Sequence, residues 1–374
     1  MTLRCISLKK TYPRQEYDVE LGIYSFGDVQ KIEETGELGS TAESMRNLVE
    51  AIRVADQVGL DYFGVGEHHT REMPASAAAT VLAGASTVTH NIRLGSSVTV
   101  LSTDDPVRVF QQFATVDALS NGRAEITAGR GSSTESFPLF GYDLGDYDTL
   151  YTEKLDLLQL LNESEDLAVT WNGTVRPALH NAIVVPRPEC GSLPLWVGTG
   201  GTPASSVRAG LRKLPVIYGI IGGAPASFAP LADLYRRAAA QAGTPSSQTR
   251  VGIAVPGFLG DDGSSTREKW WGHWSGLMET VSKQRGAPMM SYDSYRQATA
   301  AGGALFVGEP EEIAERIVAL HRVLGHDRQI LQMDIGHVPQ RDLLHSIELL
   351  GAKVKPLVDA DLAAAPTSPA VARG

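Results

Sequence analysis

The feature that most limits how this chain can fold is the repeated exchange of two apolar rhythms. Short apolar runs, which suit buried strands, alternate with segments whose apolar residues recur every three or four positions, which suit helices. VELGIYSF (residues 19–26) reads as a first strand. Met45, Leu48, Val49, Ile52 and Ala55 then mark one helical stripe, with Ser40 and Glu43 as a capping box before it and Gly59 as its left-handed stop. DYFGVGEHH supplies a second strand, SAAATVLAGASTVT a helix, and IRLGSSVTVL a third strand. PVRVFQQFATVDALS is a helix opened by Pro106 and stopped by Asn121-Gly122, and RAEITAGRG is the fourth strand. DTLYTEKLDLLQLL is the next helix, and LPLWVGTGG, LPVIYGII, RVGIAVPGF and RQILQMDIG are strands five to eight. Between the last two, Ile313, Ile317, Leu320 and Leu324 define a helix begun by Pro310 and closed by Gly325. Eight alternations without a sequence repeat predict parallel βαβ units, and eight is the number at which such a sheet closes into a (β/α)8 TIM barrel. An open doubly wound sheet is the structural alternative.

Two segments break the rhythm and read as insertions after strands 4 and 7. Residues 163–193 look like a small β excursion. Residues 260–303 look long and irregular, with Trp270, Trp271 and Trp274 close together, and suggest either a lid or the core of a small added layer. At roughly 150 residues per domain the 374 residues would make two or three domains, but a closed barrel uses this much chain as one. Residues 1–360 are therefore expected to form a single barrel domain, and 361–374 a flexible C-terminal tail.

Charge and cysteine use exclude several functions. Thirty-three basic against 43 acidic side chains leave a net charge of −10, so the basic footprint of a nucleic-acid or anionic-membrane binder is missing. The two cysteines, Cys5 and Cys190, form no disulfide scaffold or thiolate zinc pattern. No apolar run approaches the ~20 residues of a membrane span, and the N-terminus lacks the apolar core of a signal peptide. A soluble, cytoplasmic protein is expected, with no nucleic-acid or membrane partner.

In a barrel of this kind reactive groups sit where strands end and βα loops begin. Those ends are Tyr24 to Asp28, Glu67-His68-His69, Ser97-Val98-Thr99, Gly129 to Ser132, and Gly198 to Thr202. Arg130, flanked by glycines and followed by Ser132, Ser133 and Thr134, suits a phosphate, because a fixed guanidinium binds it bidentately and glycine lets backbone N–H groups approach. GTGGTPASS leads into a helix and suits the same anion; each segment also fits an ordinary glycine-rich turn. Glu67-His68-His69 admits three readings: a metal site without its remaining ligands, a structural turn, or an acid/base pair in which Glu67 orients a ring.

Taken in order, GVGEHH, IRLGSSVTVLSTDDPVRVFQQFATVDALSNGRAEITAGRG, LFGYD and LPLWVGTGGTPASS resemble the bacterial luciferase-like family of flavin-dependent monooxygenases and oxidoreductases. The similarity runs from about residue 19 to about residue 350 and is densest over 61–160. It implies a barrel that binds FMN, or in some branches a deazaflavin, at the C-terminal ends of its strands. It also implies oxidation of a small organic substrate by O2 and reduced flavin, a separate flavin reductase, and a homodimer. Tyr24, Phe26, Phe137 and the tryptophan insertion suggest an apolar or aromatic ligand, although any core would also use them. By position, His68 matches the catalytic histidine beside Glu67, and Arg130 the arginine that holds the FMN phosphate, with Ser132 a nearby contact. Gly200 and Gly201 match a second phosphate loop that carries an acidic residue and a serine in luciferase; here backbone N–H groups or Thr202 would replace them. Ser97-Val98 falls where the family has a non-prolyl cis peptide beneath the flavin ring. No metal is expected. A deazaflavin-dependent dehydrogenase and a non-catalytic flavin-binding protein are the alternatives.

Overall fold

A computed structural model describes residues 19–32, 35–131, 134–285 and 289–364. Eight parallel strands among these residues close into a barrel: β1 (Glu20–Ser25), β2 (Tyr62–Val65), β3 (Arg93–Ser96), β4 (Ala124–Gly129), β5 (Leu195–Thr199), β6 (Val216–Gly219), β7 (Val251–Leu259) and β8 (Arg328–Gln332). Each pairs with its neighbours in chain order, and β8 returns to β1 with Glu20 opposite Arg328 and Tyr24 opposite Gln332. The predicted (β/α)8 barrel is present, and the open sheet is ruled out by that last pairing.

The helices that return the chain are α1 (Thr41–Gln57), α2 (Ala78–Ser86), α3 (Pro106–Leu119), α4 (Tyr147–Glu163), α5 (Pro203–Leu211), α6 (Ala229–Gln241), α7 (Pro310–Leu324) and α8 (Gln340–Leu349). Their ends follow from local chemistry. The Ser40 hydroxyl accepts the Glu43 N–H before α1, and the Asp105 carboxylate accepts those of Val107 and Arg108 before α3. Gly325 ends α7 at a φ of 57°. The main apolar core lies between strands and helices, with Ile52, Phe110, Leu155, Val255 and Ile313 all buried. A smaller cluster of Tyr62, Trp196, Ile217, Ala254 and Ile330 fills the barrel itself.

The first insertion is the expected β excursion, an antiparallel pair of Ala168–Trp171 and Leu179–Ile183. The second is not irregular. It is a long helix, Gly263–Arg285, and a shorter one, Tyr292–Thr299, before the strand Phe306–Gly308 pairs with the end of β7. Trp270 and Trp274 stack at 5.2 Å and are fully buried, so they are core and not an open aromatic surface. The long helix crosses the C-terminal end of β8: His273 Nδ1–H donates to the Gly336 carbonyl (2.9 Å) and Lys269 pairs with Asp342 (2.6 Å). The final helix, Lys355–Ala364, includes the first four residues assigned to the tail, and 365–374 lie outside the described residues. No helix among the described residues is long and apolar enough to cross a membrane.

Candidate active site

The residues after β2 run along the barrel mouth with alternate side chains facing opposite ways, as an extended segment requires. That alternation separates Glu67 from His68. Glu67 faces the same side as His69 and holds that ring (3.0 Å to Nε2), while its other oxygen accepts the Val100 N–H (2.9 Å). The ring that Glu67 orients is therefore that of His69 and not of His68, whose Nδ1 lies 2.7 Å from Glu135, in the loop after β4. Nothing in the sequence near either residue pointed to this pair.

The two environments set the protonation pattern. Burial pushes the His68 ring below its usual range, with Glu135 pulling it partway back. Burial also opposes the Glu135 charge, but backbone N–H groups and the His68 ring outweigh it and hold that carboxyl below its usual range. An ionised carboxylate only accepts, so Nδ1 carries the ring proton and Nε2 is left as the basic atom. The Phe26 ring stands edge-on to His68 at 4.3 Å and Tyr24 edge-on to Phe26 at 5.6 Å, so aromatic walls flank the imidazole. Burial raises Glu67, which the Val100 N–H and His69 only partly counter.

Between β3 and the short strand Thr99–Val100, the Ser97–Val98 peptide is cis. Both residues are half-buried at the mouth. The space around Val98 is available only because its neighbours on β4 and β5 are glycines: a Cβ on Gly129 or Gly198 would come within 2.3 or 2.6 Å of its methyls.

Arg130 projects from the end of β4, lies over the Tyr147 ring (5.1 Å) and pairs with Asp148 (2.8 Å), a largely exposed carboxylate. Such a pair is weak and exchangeable in water. Ser132, and Ser133 beside it, lie outside the described residues. Across the neighbouring loop, the Thr202 hydroxyl caps α5 by accepting the Ser205 N–H (3.2 Å) and donates to the Ser205 hydroxyl (2.8 Å). Its side chain is therefore committed to its own helix. A Cβ on Gly200 would meet open space, whereas one on Gly201 would strike the Phe228 ring. An accessible guanidinium beside an open glycine loop is a donor set that fits a phosphate. Among the described residues no group of three or more His, Cys, Asp or Glu side chains is placed to hold a metal.

Sequence reasoning also missed a carboxyl pair. Asp28, after β1, and Asp334, after β8, are buried together at the mouth, and the Ser25 hydroxyl donates to Asp334. Burial and the facing Asp334 push Asp28 well above its ordinary range, and burial pushes Asp334 up to about 6. Phe137 lies buried against Tyr147 (5.7 Å) and is core, whereas Phe140 is exposed and stands edge-on to His69 at 5.1 Å.

With this geometry in hand, the comparisons with known proteins are consistent. The family model described as luciferase-like monooxygenase matches residues 19–327. The chain belongs to that family. Monooxygenase RslO1 from Streptomyces bottropensis shares the fold at TM-score 0.75 with 22% identity, covering 90% of this chain and 99% of that one. The oxygenating constituent of 3,6-diketocamphane monooxygenase from Pseudomonas putida, solved with FMN, gives TM-score 0.70 and 17% identity over 91% of this chain and 98% of that one. An F420-dependent secondary alcohol dehydrogenase, in complex with an F420–acetone adduct, gives 0.71 and 18% over 91% and 99%. At these identities the three structures speak for the fold alone.

Proposed function

We propose that the protein is an FMN-dependent monooxygenase that uses reduced flavin and O2 to oxidise a small apolar or aromatic substrate at the barrel mouth. The observation that carries this reading is the His68–Glu135 pair beside Phe26, in a mouth whose rim also holds Arg130. When bound, reduced flavin supplies the electrons that activate O2. Arg130, exchanging Asp148 for the phosphate, would anchor the tail of the cofactor, with backbone N–H groups at Gly200 and Gly201 and the Ser132 hydroxyl as further donors. Ser97 and Val98, at the cis peptide, would contact the ring. His68 accepts or returns a proton through Nε2, and Glu135 keeps the opposite nitrogen protonated, the division of labour that general acid–base catalysis needs. Glu67 is a positioning residue for His69 and the strand after the cis peptide. The helix Gly263–Arg285 excludes water from the mouth. The flavin arrives from a separate reductase, and the protein works as a homodimer in the cytoplasm.

A deazaflavin-dependent dehydrogenase is the second reading, favoured by the likeness to the F420-dependent alcohol dehydrogenase. Reconstitution separates the two. Oxygen uptake with reduced FMN and an added organic substrate supports the first, and substrate-driven reduction of a deazaflavin without oxygen uptake replaces it with the second.

A further inference from the structure

One face of α4 controls the loop that carries Arg130. Tyr147, Tyr151 and Lys154 stand at i, i+4 and i+7 and so share that face. Tyr151 donates its hydroxyl to the Ala128 carbonyl (3.2 Å) and Tyr147 to that of Gly131 (2.8 Å). The Arg130 carbonyl between them is held at one remove: Lys154 Nζ donates to the Ser102 carbonyl (2.7 Å), and the buried Ser102 hydroxyl donates to Arg130 (3.3 Å). We infer that Lys154 is a positioning residue for phosphate binding, fixing the main chain of Arg130 through Ser102. This inference rests on the proposed role of Arg130 as the phosphate anchor.

A lysine is an expensive choice at this position. Its neighbours Leu150, Leu155, Leu157, Leu158 and Leu161 are all buried, and Lys154 is itself only 2% exposed. An apolar side chain would fill that space without the desolvation cost of an ammonium. What the ammonium adds is a charge-assisted hydrogen bond to the Ser102 loop and a seat over the Tyr142 ring, 4.0 Å from its centre. Three charged groups face it from other elements: Asp104 and Asp105 before α3, and Arg176 from the loop of the inserted hairpin. Asp105 is committed to the cap of α3 and to Arg176 (3.0 Å), and Asp104 is itself pushed up by burial. The carboxylates favour the ammonium and Arg176 opposes it, but burial dominates and brings Lys154 down to about 8. The strap is therefore charged at neutral pH and loses its charge in mildly alkaline solution.

The test compares two ligands that differ only in the phosphate. FMN and riboflavin affinities of the full chain are measured by flavin fluorescence from pH 6.5 to 9.5. The FMN phosphate, with a second pKa of about 6, stays dianionic across most of that range, and titration of the ring is common to both ligands. The expected result is a preference for FMN that is steady below pH 8 and falls about tenfold above it. Lys154→Met should show the lowered preference at every pH, and Ser102→Ala should lower it while leaving riboflavin binding intact. A Lys154→Met protein with the wild-type preference and the same alkaline fall overturns the inference. Should that variant not fold, a Ser102→Ala protein indistinguishable from wild type overturns it instead. A wild-type protein with no preference for FMN, unchanged by Arg130→Ala, removes the phosphate site itself and the role of Lys154 with it.

Discussion

The two ends of the barrel use buried charge in opposite ways. At the N-terminal end Arg328 is fully buried, bonds Glu125 through both terminal nitrogens (2.7 and 3.1 Å) and Glu20 through Nε (2.7 Å), and lies over Tyr62 and Trp196 at 4.4 and 4.6 Å. Arg93 adds a second cation to Glu125 (2.7 Å) and Arg250 one to Glu20 (2.8 Å). Every carboxylate there is matched. At the C-terminal end Asp28 and Asp334 face each other with no cation paired to either among the described residues, each with one oxygen lacking a hydrogen-bond partner there. His68 is kept neutral by burial there. One end closes the barrel and the other keeps groups in states that chemistry can change, the division expected of this fold.

Breaking the closed end should have the largest effect. Arg328→Ala leaves the buried Glu125 and the half-buried Glu20 with one arginine each, Arg93 and Arg250, and a denaturant titration should find a loss of about 3 kcal/mol. The pH response of the two ends should then differ in sign. Burial works against the charges on Glu20 and Glu125, but Arg328 and its neighbouring arginines hold both below the usual carboxyl range. Their contribution to stability is therefore present at neutral pH and lost on acidification. Asp334 is raised from 3.8 to about 6, so the folded state takes up its proton first and stability falls as pH rises through that interval. Asp334→Asn should raise the melting temperature at pH 7.5 and do little at pH 4; an equal effect at both would remove the contrast.

Smaller effects belong to the mouth. His68→Ala should lower turnover by ~10²-fold or more while FMN binding and the melting temperature change little. Unchanged turnover would take the acid/base role away from His68. Glu135→Gln should cost about tenfold in turnover and move the acidic limb of the pH–rate profile to lower pH, because Glu135 raises the affinity of His68 for its proton. A limb that stays in place would make Glu135 a bystander.

The barrel itself was legible in the sequence because strand and helix periods are local, and Pro106, Asn121-Gly122 and Gly325 mark ends that the structure keeps. The helix Gly263–Arg285 was readable in principle, since Trp270, Trp274 and Leu277 stand at i, i+4 and i+7. Gly272 and Gly276, poor helix formers between them, hid the pattern. The site was legible only by loop. His68, Ser97, Val98 and Arg130 are all at the mouth, as strand ends must be, but their partners were not readable. Glu135 stands 67 positions from His68 and reaches it across β3 in the assembled sheet, and Asp334 lies 306 beyond Asp28 and reaches it only because β8 closes onto β1. Alternation after β2 sends Glu67 to His69 and not to His68, a consequence of backbone geometry that residue types alone do not reveal.

The most direct test of the account is a crystal structure of the protein with FMN bound. The phosphate should lie on the Arg130 guanidinium, with Asp148 displaced, and the ring over Ser97-Val98 within reach of His68 Nε2. A flavin bound elsewhere, or one at the mouth with Arg130 still on Asp148 and the ring turned away from His68, would contradict it.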